Sequence, residues 1–328
     1  MSEEETGSAS EETRYFSKDF EWEELREEIE KDLSHRHHLL PFESSSSPFS
    51  SSSSSSANQS EAWKSFHNRH STGRFFKERR YLLKEFPELL SCHDYSKVLE
   101  VGSGNGSTVL PILRGKQSIV VYACDCSKEA LERAKEMIDA ADGILFKDRF
   151  HPFVCDFSLT GFPYWLVCDS CRRDSMQKQH DFSSDGNKSK EMELNQLSSK
   201  RDQCCTGVLD FVTLIFTLSS LPFQKMPTAL EECISVLKPG GLLLFRDYGL
   251  YDMTMLRFPL EQRVGFREYM RSDGTLSCFF CLDTVRDLFV GAGFIVHELE
   301  YCCIKSVNRR NEKQMRRVWV HGKFQKPL

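Results

Sequence analysis

No stretch of this chain approaches the roughly 18 consecutive apolar residues that a membrane-crossing helix needs, so no membrane partner is expected. Positive charge is missing from the opening Met1-Ser2-Glu3-Glu4-Glu5, the reverse of a basic signal peptide or an Arg-rich transit peptide. The expected compartment is therefore the cytoplasm, and the nucleus besides. An even cysteine count is also lacking. Thirteen cysteines cannot all pair within one chain, and Cys92, Cys124, Cys126, Cys155 and Cys233 are spread over apparent strands and loops, as buried reduced thiols would be. A basic excess is lacking too, with 43 Lys and Arg against 48 Asp and Glu, which weighs against nucleic acid until the charge is followed along the chain. Residues 1–34 hold 13 acidic and 4 basic side chains (13 − 4, a net of −9), which leaves 39 basic and 35 acidic in the rest (net +4). An acidic arm masks a mildly basic body. A solvated tail is the plain reading of that arm; docking of a partner is the other.

Texture divides the chain. Residues 1–60 are expected to be a disordered acidic and Ser-rich arm outside the core: Phe20–Leu33 fits a short charged helix, but Ser44–Ser47 and Ser50–Ser56 read as a flexible linker. From Glu61 onward, aromatic residues (Trp63, Phe66, Phe75, Phe76, Tyr81, Phe86) interleave with Arg69, Arg74, Lys77, Arg79, Arg80 and Lys84, a helical preamble with rings inward and cations outward. Strands are then expected at Lys97–Val101, Ile119–Ala123, Phe153–Cys155, Leu209–Phe216 and Leu242–Phe245, alternating with helices at Thr108–Leu113, Lys128–Ile138 and Lys225–Val236. Lys238-Pro239-Gly240-Gly241 reads as a turn and Thr284–Ala292 as a helix. Phe294–Lys305 and Arg317–Phe324 read as a closing antiparallel pair, with Arg309, Arg310, Lys313, Arg316 and Arg317 as a basic loop between them. The alternation calls for a parallel sheet covered by helices on both faces. Residues 172–203 are polar and aperiodic, and are expected to be a disordered surface insertion within a domain spanning 61–328.

In Leu99-Glu100-Val101-Gly102-Ser103-Gly104-Asn105-Gly106 the glycines let the backbone turn off a strand and approach a ligand closely. A dinucleotide fingerprint would place glycine at 107, where the chain has Ser107. The spacing G-x-G-x-G, with an acid two residues before it, resembles instead the class I methyltransferases, whose ligand has an amino-acid tail and no pyrophosphate. Asp125 closes the second strand, where an acid can hold ribose hydroxyls, and Asp156 closes the third. Taken singly, Asp125 equally fits a helix cap and Asp156 a turn residue. Together, in order and at strand ends, they make a cofactor site.

Further stretches resemble one family, the methyltransferases that make 3-methylcytidine in the anticodon loop of tRNA. They are Phe245-Arg246-Asp247-Tyr248-Gly249-Leu250-Tyr251-Asp252 with Met255-Leu256-Arg257-Phe258; Phe75-Phe76-Lys77-Glu78-Arg79-Arg80; Glu85-Phe86-Pro87-Glu88-Leu89; Ala123-Cys124-Asp125; Leu214-Ile215-Phe216-Thr217-Leu218-Ser219; and Arg271-Ser272-Asp273-Gly274-Thr275. The resemblance covers about residues 61–328 apart from the insertion. It implies a Rossmann-like, doubly wound, mostly parallel seven-stranded α/β sheet with an antiparallel C-terminal strand. It implies S-adenosyl-L-methionine as cofactor, held by Trp63, Gly102, Gly104, Gly106, Asp125, Asp156, Phe157 and Ile215. His67 stands where the family usually has Tyr and is expected to offer the cofactor a planar ring and a hydrogen bond; Phe157 stands where Leu is common. tRNA is the implied partner, and some relatives use seryl-tRNA synthetase or another accessory protein for recognition.

Chemistry narrows the roles. The N3 atom of neutral cytosine carries a free lone pair, so orientation and charge handling matter more than a strong base. Asp247, Arg246 and Tyr248 are the expected catalytic residues, the Asp247 carboxylate accepting from the exocyclic amino group. Tyr248 and Tyr251 are expected to stack on a flipped base. Arg74, Lys77, Arg79, Arg80, Arg246, Arg257 and Arg271 are expected at phosphates or base edges. The plain alternative is a strand end with Arg246 and Asp247 paired to each other. Cys168 and Cys171 have zinc-ligand spacing, but the adjacent Cys204 and Cys205 make a poor second pair, and no metal is expected. Two other functions fit the same fold: a methyltransferase acting on a protein or small molecule, and a binding module without turnover.

Overall fold

The computed structural model describes residues 18–42, 56–70, 78–144, 147–166, 207–308 and 313–328. Seven strands form the main sheet: β1 (Lys97–Val101), β2 (Val120–Asp125), β3 (Phe150–Val154), β4 (Leu209–Ile215), β5 (Leu237–Tyr248), β9 (Ile295–Asn308) and β10 (Lys313–Gln325). Their order is β3-β2-β1-β4-β5-β10-β9, with β1 to β5 parallel and β10 antiparallel to both of its neighbours. β1 and β4 read as nearly unbroken apolar runs because both of their faces are covered; Val98, Leu99, Val101, Val212 and Leu214 are all buried. Chain order reverses between β1 and β4, and in such sheets the reversal opens a crevice at the carboxyl ends of the strands.

Local signals set the elements around that crevice. The helix Lys128–Asp139 starts where the Ser127 hydroxyl accepts from the Ala130 amide at 3.1 Å, and it buries Leu131, Ala134 and Ile138 at helical spacing. Residues 238–241 are not a turn between elements but a bulge within β5. Leu237 still pairs with Leu209 and Leu242 with Phe211, so the residues between them loop out. The final hairpin is longer than expected. Arg316 and Arg317 therefore lie on a strand, Arg316 donating to both Glu28 carboxylate oxygens at 2.6 Å and Arg317 to Asp252 at 2.8 Å. Arg309 and Arg310 lie outside the described residues.

The N-terminal arm departs most from expectation. Within 1–60, the helix Trp22–Lys31 packs on the domain. Leu25 and Ile29 are buried in the main core, and the Trp22 ring stacks on Tyr301 at 4.5 Å and on Tyr251 at 5.8 Å. The Asp19 amide donates to the Cys303 carbonyl at 2.8 Å, so the arm adds backbone contacts at β9. His38 is buried against the Tyr269 hydroxyl at 2.7 Å, and that burial pushes its pKa down to about 4. Trp22, Leu25 and Ile29 fall at i, i+3 and i+7, a narrow apolar stripe on a helix otherwise crowded with glutamates. Tyr269 belongs to a small second sheet, β6 (Arg263–Gly265), β7 (Glu268–Met270) and β8 (Leu276–Cys278), which borders the crevice. The preamble helix begins at Ser56 rather than at 61.

All of the expected serine tract except Ser56, which opens a helix, and the insertion at 172–203 lie outside the described residues, as do Cys168, Cys171, Cys204 and Cys205. The nine described cysteines are all free, with Cys124, Cys155 and Cys233 buried. Among the described residues no group of side chains could hold a metal, and no helix is long and apolar enough to cross a membrane.

Candidate active site

The glycine loop follows β1 and needs its glycines for two different reasons. Gly102, Gly104 and Gly106 all have positive φ (+68°, +53° and +79°), where a side chain is strained. At Gly102 a Cβ would also come within 2.6 Å of the Thr217 side chain, whose hydroxyl donates to the Val101 carbonyl at 2.9 Å. Gly106 does not reach the cavity. A Cβ there would come within 3.1 Å of the Ala134 Cβ, so this glycine packs the loop on a helix, whereas it was expected at the cofactor.

Asp125 is the loop's anchor. Its carboxylate accepts from the Gly104 amide at 2.8 Å and from the Ser127 amide at 2.9 Å. The helix cap is Ser127, which removes the capping alternative for Asp125. Glu100, two residues before the loop, is fully buried; burial pushes its pKa up to about 7, against the opposing hydrogen bond from the Thr213 hydroxyl.

A cavity of about 610 Å³ opens above the ends of β1 and β4. On one side it is lined by Gly102, Gly104, Asp125, Asp156, Phe157 and Ile215, with Trp63 and His67 supplied by the helix Ser56–Arg69. The Ser60 hydroxyl donates to Asp156, whose other oxygen accepts from the Ser158 hydroxyl at 2.8 Å. His67 is buried with Nε2 3.9 Å from Asp125, and burial lowers its pKa. S-adenosylmethionine fits this half. It offers a backbone cradle, two carboxylates for ribose and adenine donors, and three buried polar atoms without a partner among the described residues: Trp63 Nε1, Ser103 Oγ and Asn105 Oδ1.

Rings and guanidinium groups line the other side. Phe216, at φ +55°, has its ring 5.1 Å from that of Tyr248, and the Arg79 guanidinium lies 5.3 Å from the Phe216 ring. Arg79 is held there by the Thr108 hydroxyl at 2.7 Å. Tyr81, Trp319, Arg317 and Arg271 complete this wall. Trp319 and Phe216 are the functional positions that residue type and spacing left unassigned. The available signal was the period-two series Arg317, Trp319, His321, which puts all three on one face of β10.

Several expected site residues stand elsewhere. Asp247 is fully buried and does not line the cavity. Its carboxylate accepts from the Ser219 amide at 2.9 Å and the Tyr248 amide at 2.8 Å, and burial pushes its pKa up to about 6. From inside the fold it holds the Ser219 loop and the Tyr248 amide in place. Arg246 is 1% exposed, does not line the cavity, and pairs with Glu85 rather than with Asp247. Tyr251 is buried against Trp22, its hydroxyl donating to Glu30 at 3.1 Å. Arg80 is exposed and paired with Glu78, and Arg257 is exposed; both lie off the cavity. Arg74 and Lys77 lie outside the described residues.

Comparison with known proteins agrees with this geometry. A family model described as a methyltransferase domain matches residues 61–299. The human tRNA N(3)-cytidine methyltransferase METTL6 is 33% identical over 269 residues, covering 81% of this chain and 79% of the relative. The tRNA N(3)-methylcytidine methyltransferase Mettl2 of Drosophila melanogaster is 33% identical over 276 residues, covering 81% and 71%. Among solved structures, a SAM-dependent methyltransferase from Anabaena variabilis superposes with a TM-score of 0.50 at 11% identity, covering 81% of this chain and 94% of that one, which bears on the fold alone.

Proposed function

This chain belongs to the tRNA N(3)-cytidine methyltransferase family, and from that premise we propose that it makes 3-methylcytidine in a tRNA anticodon loop with the two halves of one cavity. The enzyme uses S-adenosylmethionine. The observation that carries the proposal is the continuity of a glycine-and-carboxylate half with a half built of rings and guanidinium groups.

When bound, S-adenosylmethionine would supply an electrophilic methyl group and its sulfur would be the leaving group. Asp125 and Asp156 would accept from ribose and adenine donors, and the backbone of residues 102–105 would hold the ligand closely. Cytosine N3 attacks with its own lone pair, so no cavity residue needs to remove a proton first. Phe216, Tyr248 and Trp319 offer flat faces that stack on an extruded base and favour the cationic product ring. Arg79, Arg271 and Arg317 suit phosphates flanking it. Recognition of the whole tRNA through an accessory protein such as seryl-tRNA synthetase, in the cytoplasm, belongs to the same proposal.

The test is incubation with labelled S-adenosylmethionine and total tRNA, followed by digestion and nucleoside analysis. 3-Methylcytidine is the expected product. Label on protein with none on tRNA would overturn the proposal, and cofactor binding with no transfer to any acceptor would point to a binding module.

A further inference from the structure

Beneath the ring wall lies a charge that touches no solvent. Arg246 on β5 is 1% exposed, and its ion-pair partner Glu85 is buried as well. The guanidinium carbon sits 4.9 Å from the centre of the Tyr81 ring and 4.3 Å from that of Trp319. Both rings line the cavity; Arg246 does not. Its backbone carbonyl accepts from the Phe216 amide at 2.7 Å, so the same residue also fixes the third ring's strained turn. Arg246 Nε and Nη2 have no partner among the described residues. Glu85 is held in turn by His321 Nδ1 at 3.0 Å, and His321 Nε2 meets Glu298 at 3.1 Å, which leads the network to the surface of β9.

A buried ion pair of this kind adds little net stability, because the loss of hydration offsets most of the attraction. Its consequence is geometric: a planar cation wedged against two rings fixes their tilt. We infer that Arg246 is a positioning residue for methyl transfer, acting through Trp319 and Tyr81 to hold the wall against which the base is stacked, without contacting base or cofactor. The inference rests on the tRNA reading above, and it concerns a residue that reading gives no role.

Removing Arg246 alone would leave Glu85 as a buried anion with only His321 beside it and risks unfolding, so the test is the paired Glu85→Gln/Arg246→Met variant, which removes both charges at similar volume and keeps an acceptor for His321 Nδ1. The expected result is an unchanged melting temperature and cofactor affinity within about threefold of wild type, with kcat/KM for tRNA at least tenfold lower. Wild-type kcat/KM in a folded double variant would overturn the inference, whereas a wild type that does not methylate tRNA would sink the underlying reading instead. A second measurement needs no turnover: the indole N–H resonance of Trp319, assigned by Trp319→Phe, should shift or broaden in the double variant while that of Trp63 stays in place. An unmoved Trp319 resonance would show that the guanidinium does not set the ring, and would equally overturn the inference.

Discussion

Gly102 illustrates how much a single missing Cβ carries. Positive φ and the 2.6 Å approach of the Thr217 side chain act together there, and Thr217 is pinned by its bond to Val101 and cannot easily retreat. Gly102→Ala should therefore weaken S-adenosylmethionine binding at least tenfold in calorimetry; an unchanged affinity would mean that the loop does not form the cradle. Glu100 makes a pH prediction. Its folded pKa of about 7 lies above the ordinary carboxylate value, so the native state holds the extra proton between the two. Stability contributed in that window falls as pH rises through it, and has gone above the folded value. Glu100→Gln keeps an oxygen for Thr213 and should flatten the decline of melting temperature between about pH 4.5 and 7. His321, whose pKa its two glutamates raise against burial, adds a decline of the same sign as pH rises beyond the ordinary imidazole value. The loop and both strand-end acids were legible because each sits where a strand meets a turn. Arg246 and Asp247 were not. Arg246 shares a face with Tyr248 but lies two residues, about 7 Å, deeper along the strand, and Asp247 points to the opposite face. Only the pairing with β10 decides which of the three reaches the cavity.

At the scale of elements, the strand–helix alternation was readable from apolar runs and caps, while elements stabilised by distant partners were not. The helix Trp22–Lys31 is the clearest case. Its composition is that of a solvated tail, and its burial depends on Tyr251, Tyr301 and the Leu250 carbonyl, more than 200 residues away. The three short strands β6 to β8 are equally silent in the sequence, being only three residues each. If that helix folds as one unit with the domain, Ile29→Ala should cost about 2–4 kcal/mol in denaturant unfolding, while Glu24→Ala, exposed on the same helix, should change stability by no more than about 0.5 kcal/mol. Equal, small effects would show a helix that detaches before the core unfolds. The contact also has a bearing on the site, because Trp22 braces Leu250 and Tyr251, the segment that leads out of Tyr248.

Over the whole molecule, net charge misleads because the acidic arm and the basic body sit in one chain. What an RNA meets at the cavity is the local field of Arg79, Arg271 and Arg317. Two of these are already engaged, Arg79 with Thr108 and Arg317 with Asp252. Arg271 is half-buried beside Asp273, whose pKa it helps to lower. A phosphate contact by Arg271 would release counterions from the RNA, and this contribution depends on salt and not on base identity. Arg271→Ala should therefore weaken binding of different tRNAs by similar factors. It should also make the plot of log affinity against log salt shallower by about 0.7, the value for one phosphate on a single strand. Cofactor affinity should not change, since no arginine lies in the half of the cavity that holds Asp125 and Asp156. Fluorescence anisotropy with labelled tRNA across a salt series measures the slope directly. An unaltered slope would remove Arg271 from the RNA path; an affinity lost for one tRNA alone would mean that it reads a base edge and not the backbone.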